Sequence, residues 1–247
     1  MSGSPPDPRV GRPPRRLGSP GDPSVKDAPL LRGPLPARIL ALFAGLVMIA
    51  LAIVCMLESE LGLPPWDVFH MGIARHTPLS LGTASIVVGL VIVVIAWIAG
   101  APPGFGTVAN AVVIGLGIDA LVAMPAIDGL SESGLVVRMA LVAAGVLFFG
   151  LGSALYIGAG MGAGPRDSLM MALTRATGQR IGVVRGAMEI VVLAAGLMLG
   201  GVAGLGTLVL ALLVGPSVEF AFWMLLKLGL ASPGPRHAPE FGPLDVG

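Results

Sequence analysis

Charge is scarce in this sequence. Asp, Glu, Lys and Arg make up 12% of its 247 residues, and the aromatics only 5%. So few charges cannot solvate the surface of a soluble domain in which 55% of residues are hydrophobic. Cysteine is nearly absent as well: Cys55 stands alone inside an apolar run. It excludes an intramolecular disulfide and reads as a small packing residue. The three histidines, His70, His76 and His237, share no helical spacing on a span, so no metal or other cofactor is expected. No nucleophile–base set stands out, which argues against an enzyme. The net charge of +1 by itself says nothing about a nucleic-acid partner, and none is expected of a chain with this composition.

What the sequence has instead is glycine (37 residues), proline (22 residues) and long apolar runs, with a mean hydropathy of +0.90. A helix needs about 20 apolar residues to cross a bilayer. Six stretches meet or approach that length: Ala37–Leu57, Leu81–Ala99, Gly106–Met124, Leu135–Ile157, Ile181–Leu199 and Gly206–Leu226. Two further segments, Trp66–His76 and Arg166–Thr177, are too short and polar to span and read as short helices. The expected fold class is an all-α integral membrane protein over residues 35–230. Residues 1–34 hold nine prolines and six Arg or Lys residues. They read as a disordered basic tail, and residues 231–247 as a shorter tail of the same kind.

The cations set an expected orientation. Six lie in the amino-terminal tail, which places it in the cytoplasm by the positive-inside rule. Six spans then return Lys227 and Arg236 to that side, and Arg166, Arg175 and Arg180 also fall inside. The opposite segments carry Glu58, Glu60, Asp67, Asp128 and Glu132, with Arg75 and Arg138 as the only cations at or near them.

The chain also repeats itself at an offset of 100 residues. Arg38, Gly62, Pro65, Asp67, Arg75, Thr77, Gly82 and Gly100 fall on Arg138, Gly162, Pro165, Asp167, Arg175, Thr177, Gly182 and Gly200. Gly104-Phe-Gly-Thr107 falls on Gly204-Leu-Gly-Thr207, and Ala111 and Gly115 on Ala211 and Gly215. Repeat one covers 38–124 and repeat two 138–226, each with three spans and one short helix. An odd number of spans puts the second repeat in from the opposite face, an inverted topology that many secondary transporters share.

Candidate site residues follow from the polar side chains in apolar context. Asp119 and Glu219 are repeat equivalents within spans, and Glu189 lies in the fifth span four residues after Arg185. Acids at membrane depth are costly and mark ion or solute paths; alternatively Asp119 lies close enough to the outer interface to be solvated there, and Glu219 symmetrically close to the inner one. Glu189 can alternatively pair with Arg185 at i,i+4. Asp67 and Asp167 can line a solute path, or can cap the short helices while Arg75 and Arg175 complement the far ends. Asn110 is a further polar candidate. Thr107 and Thr207 read as N-caps after tight glycine turns; the lysine of a phosphate loop is missing. Trp66 and Trp97 suit a membrane interface.

Gly62-Leu-Pro-Pro-Trp66-Asp67-Val-Phe, then Leu81-Gly82 and Gly104-x-Gly-Thr107, resembles the YczE-type bacterial membrane proteins of the YczE/YyaS/YitT grouping. Gly162-Ala-Gly-Pro165-Arg-Asp167-Ser-Leu is similar to that group's second copy. The resemblance spans roughly 36–230 and implies a bacterial inner-membrane location without supplying an activity. The leading expectation is a small-solute secondary transporter or permease-like protein, with the lipid bilayer and a small molecule or ion as partners. Its rival is a non-transporting membrane scaffold or regulator. Six spans is small for a transporter, so pairing of two copies is compatible with the sequence, although no residue specifies it.

Overall fold

The computed structural model describes residues 28–125, 127, 130 and 132–233. Among them, six helices are long and apolar enough to cross a membrane: α1 (Leu35–Ser59), α3 (Leu81–Ile98), α4 (Phe105–Val122), α5 (Leu135–Gly158), α7 (Ile181–Met198) and α8 (Leu205–Lys227). Two shorter helices, α2 (Pro65–His76) and α6 (Pro165–Thr177), follow α1 and α5. All eight fall within two residues of the ranges expected from hydropathy.

The helix ends have local causes. Pro65 and Pro165 open α2 and α6, where proline's fixed φ suits the first turn and its missing N–H costs nothing. Ser80 caps α3 by accepting the Thr83 amide at 3.1 Å. Gly178 ends α6 in the left-handed conformation, at φ 67°. Thr107 and Thr207 are not N-caps. The caps are Gly104 and Gly204, and each threonine, three residues in, accepts the cap residue's own N–H at 3.1 Å.

α1 and α5 form the central pair, with α4 laid against α1 and α8 against α5. The crossing is close because both partners lack side chains at the contact. A methyl group at Gly45 would lie 2.6 Å from Gly152 O, and one at Gly152 would lie 2.6 Å from Gly45 O. Leu42, Leu46, Ile49 and Ile53 complete the α1 side of this core, and Cys55 is buried on the same helix. α3 packs on α4 and α6, and α2 packs on α7 and α3.

The two halves are joined by matching hydrogen bonds. Thr107 Oγ1 donates to Ala163 O at 2.6 Å, and Thr207 Oγ1 donates to Leu63 O at 2.7 Å. Gly106 N–H reaches Met161 O at 2.8 Å, and Gly206 N–H reaches Leu61 O at 2.7 Å. Arg38 Nε donates to Ala159 O at 3.0 Å, and Arg138 Nε donates to Ser59 O at 2.6 Å. Arg75 donates to Gly200 O, and Arg175 donates to Gly100 O at 3.3 Å. In every pair, one bond becomes the other by shifting each residue by 100 in opposite directions. Matched arginines and threonines of the sequence therefore hold the two halves together.

Order extends further toward the ends than a tail reading of the sequence implies. Leu30–Leu31 (β1) pairs antiparallel with Ala231–Ser232 (β2). The rest of both expected tails, residues 1–27 and 234–247, lies outside the described residues, as does Asp128.

Candidate functional site

A cavity of about 790 Å³ lies between the halves and is walled by residues from all eight helices. Many wall positions are repeat equivalents. Pro65 and Pro165, Trp66 and Arg166, His70 and Met170, Ser85 and Arg185, Gly89 and Glu189, and Asn110 and Leu210 each contribute from both halves. The site is thus positioned symmetrically but is chemically unequal. Among the described residues, every Arg, Asp and Glu in the wall, namely Arg166, Asp167, Arg185, Glu189 and Glu219, belongs to the second half.

α2 and α6 bring their first turns to the cavity. There the Arg166 guanidinium lies over the Trp66 ring, 4.9 Å from its centroid. This cation–π contact joins two residues at equivalent positions. Trp66 is buried, which corrects its reading as an interface anchor, whereas Trp97 is exposed.

Asp67 and Asp167 do not cap their helices. The cap positions are Pro64 and Gly164, and neither aspartate makes a capping bond. The capping alternative fails because proline at the first position places the aspartate three residues in, facing the bundle. Asp67 is fully buried; its Oδ1 accepts from His70 Nδ1 at 3.1 Å and lies 3.9 Å from Arg166 Nη2. A carboxylate can only accept, so His70 carries its hydrogen on Nδ1 and Nε2 is left as an acceptor. Burial pushes the His70 imidazole down from its ordinary range, and the Asp67 bond opposes that push. Among the described residues Asp67 Oδ2 is buried without a partner, an acceptor available to a donor or cation. Asp167 Oδ2 accepts from the Tyr156 hydroxyl at 3.1 Å.

Of the residues expected from sequence, Glu189, Glu219, Asp167 and Asn110 meet in this cavity, and Asp67 stands directly behind its wall. Asp119 does not join them. It sits between α4 and α3, where it accepts from Ser80 Oγ at 2.6 Å, Gly82 N at 2.9 Å and Thr83 Oγ1 at 3.1 Å. Three donors at the amino-terminal end of α3 account for Asp119, which stands near the carboxyl end of α4 beside Ser80, the cap of α3. Arg185 and Glu189 both line the cavity, but the ion pairs among the described residues do not include them, so pairing does not explain Glu189.

Sequence reasoning missed His70, Tyr156 and Arg166. The available signal was a mismatch: Trp66 and Arg166 differ at the centre of a Pro-x-Asp motif that otherwise repeats.

The chain matches the model of a family of unknown function, DUF6198, over residues 36–222. It is 37% identical over 194 residues to the uncharacterised membrane protein YczE of Bacillus subtilis, covering 75% of this chain and 86% of that one. It is 36% identical over 172 residues to an uncharacterised protein of Haemophilus influenzae, covering 69% of this chain and 76% of the other. No solved structure matches. With six apolar helices, a family model spanning the bundle and relatives covered over most of their length, the chain belongs to the YczE-type membrane proteins, the DUF6198 family.

Proposed function

We propose that the protein is a small-solute secondary transporter of the bacterial inner membrane, built as two inverted repeats with both chain ends in the cytoplasm. One observation carries the reading: a cavity at the repeat interface, walled by equivalent positions of both halves, holds two arginines and three carboxylates. Charged side chains turned into a cavity within a membrane bundle are costly, and a scaffold that only needed packing would gain by carrying apolar residues there. The inverted arrangement is supported by the odd number of spans per half and by the reciprocal hydrogen bonds between halves. In this reading Arg166 and Arg185 contact an acidic group of the solute. Glu189 and Asp167 contact a basic group or the coupling ion, and Asn110 orients the solute.

An unbiased efflux assay tests this without naming the solute. Proteoliposomes are loaded with a bacterial metabolite extract, and its loss is followed by mass spectrometry. At least one compound is expected to leave vesicles holding the wild-type chain and to stay with Glu189→Gln or Arg185→Gln. No compound differing from protein-free vesicles, or equal loss with both variants, would reject transport through this cavity.

A further inference from the structure

The halves differ where they should match. In the first half, α3 and α4 touch through Gly82 and Gly115. A methyl group at Gly82 would overlap Gly115 O, and one at Gly115 would overlap Gly82 O. Asp119 locks the contact by accepting from Ser80, Gly82 and Thr83. The equivalents in the second half are Gly182, Gly215 and Glu219. Among the described residues, a methyl group at Gly182 or Gly215 would meet nothing within 4 Å. Both α7 and α8 line the cavity here, and Glu219 faces it.

α8 is not the displaced member. Ser217 Oγ donates to Val146 O at 2.9 Å, fixing α8 on α5, and Gly150 packs tightly on Ser217 as Ala50 does on Gly117 in the first half. α7 packs on α2 and α6 and is held most tightly toward its carboxyl end, where a methyl group at Gly196 would lie 2.6 Å from Phe69 N; its amino-terminal half buries Val184. Its amino-terminal half, including Gly182 and Gly186, has open space beside its glycines. One end of α7 is thus tightly pinned and the other loosely packed.

We infer that the amino-terminal half of α7 is a gate that pivots near Gly196 and closes the cavity on α8. In the closed state Gly182 meets Gly215, and Glu219 accepts the Gly182 amide as Asp119 accepts that of Gly82. Arg180 stands where Ser80 stands in the first half, so it pairs its guanidinium with Glu219. Glu219 is then a gate acceptor, and its wide exposure to the cavity belongs to the open state. The gate rests on the reading of the cavity as a solute path, but its closure is readable without any solute.

The test uses the full chain in native membrane vesicles with Cys55→Ala as background. Val183→Cys with Glu219→Cys recreates the positions of Thr83 and Asp119, which touch in the first half at 3.1 Å. Mild oxidation is expected to give an intramolecular disulfide. Adding Gly182→Ala or Gly215→Ala is expected to cut its yield about tenfold, because a methyl group fits the open state and overpacks the closed one. If the double variant does not insert, Arg180→Cys with Glu219→Cys reads the same closure. No disulfide, a yield insensitive to both alanines, or a product of twice the chain mass would overturn the gate, the last by making this face an interface between copies. Closure without metabolite loss from proteoliposomes would leave the gate standing and remove transport; loss without closure would do the reverse.

Discussion

Alanine at Gly82 and at Gly182 should have opposite consequences, although the two positions are repeat equivalents. A methyl group at Gly82 would lie 2.5 Å from Asp119 Oδ1, whereas ordinary contact begins at 3.4 Å. α3 must therefore retreat by about 1 Å, an overpacking strain of about 1–3 kcal/mol. The retreat stretches the charge-assisted bonds to Asp119, each worth about 1.5–3 kcal/mol when intact. Replacing a helical glycine returns at most about 1 kcal/mol. The net expectation for Gly82→Ala is a loss of about 2–4 kcal/mol, or about 5–15 °C in Tm for a chain of this size. At Gly182 nothing opposes the added methyl, so Gly182→Ala should be neutral or up to about 1 kcal/mol stabilising. Thermal unfolding of the purified variants in detergent measures both. Equal shifts at the two positions would refute the asymmetry on which the open gate is argued.

Other outcomes follow from the same contacts. Thr107→Val and Thr207→Val each remove one bond to the opposite half and one to a cap amide, so both should lose about 1–3 kcal/mol of thermal stability, by similar amounts. Asp67→Leu leaves the His70 Nδ1–H unpaired in the interior and should cost about 1–3 kcal/mol; an unchanged Tm would show that the pair is not formed. Reporter fusions within residues 158–180 should report a cytoplasmic location, and an outside location would defeat the inverted reading.

The spans are legible in the sequence because a bilayer imposes length and hydropathy on each helix separately. The offset of 100 is legible because Arg, Pro, Gly and Asp match in one frame, and in the structure the matched arginines, threonines and glycines make the paired bonds between halves. The cavity is not legible in the same way. Its polar groups come from positions about 100 residues apart whose partners differ, such as Trp66 with Arg166 and His70 with Met170, and a search for matches passes over them. Nor can the sequence separate Asp119 from Glu219. Both are acids at equivalent positions, and only the packing of α3, absent from α7, gives Asp119 its three donors. Asp67 reads as a cap in the sequence because capping and burial use the same residue type one turn apart.

Access to the cavity from each side of the membrane tests the account most directly. Ser153 lines the cavity and is buried in α5, so Ser153→Cys on the Cys55→Ala background places one thiol in the solute path. A membrane-impermeant thiol reagent should label it from the face that carries the chain ends. With the gate locked by the Val183→Cys and Glu219→Cys disulfide, labelling should move to the opposite face. No labelling from either face, or labelling from both faces at once, would contradict the account, the first by making the cavity a sealed interior and the second by making it an open pore.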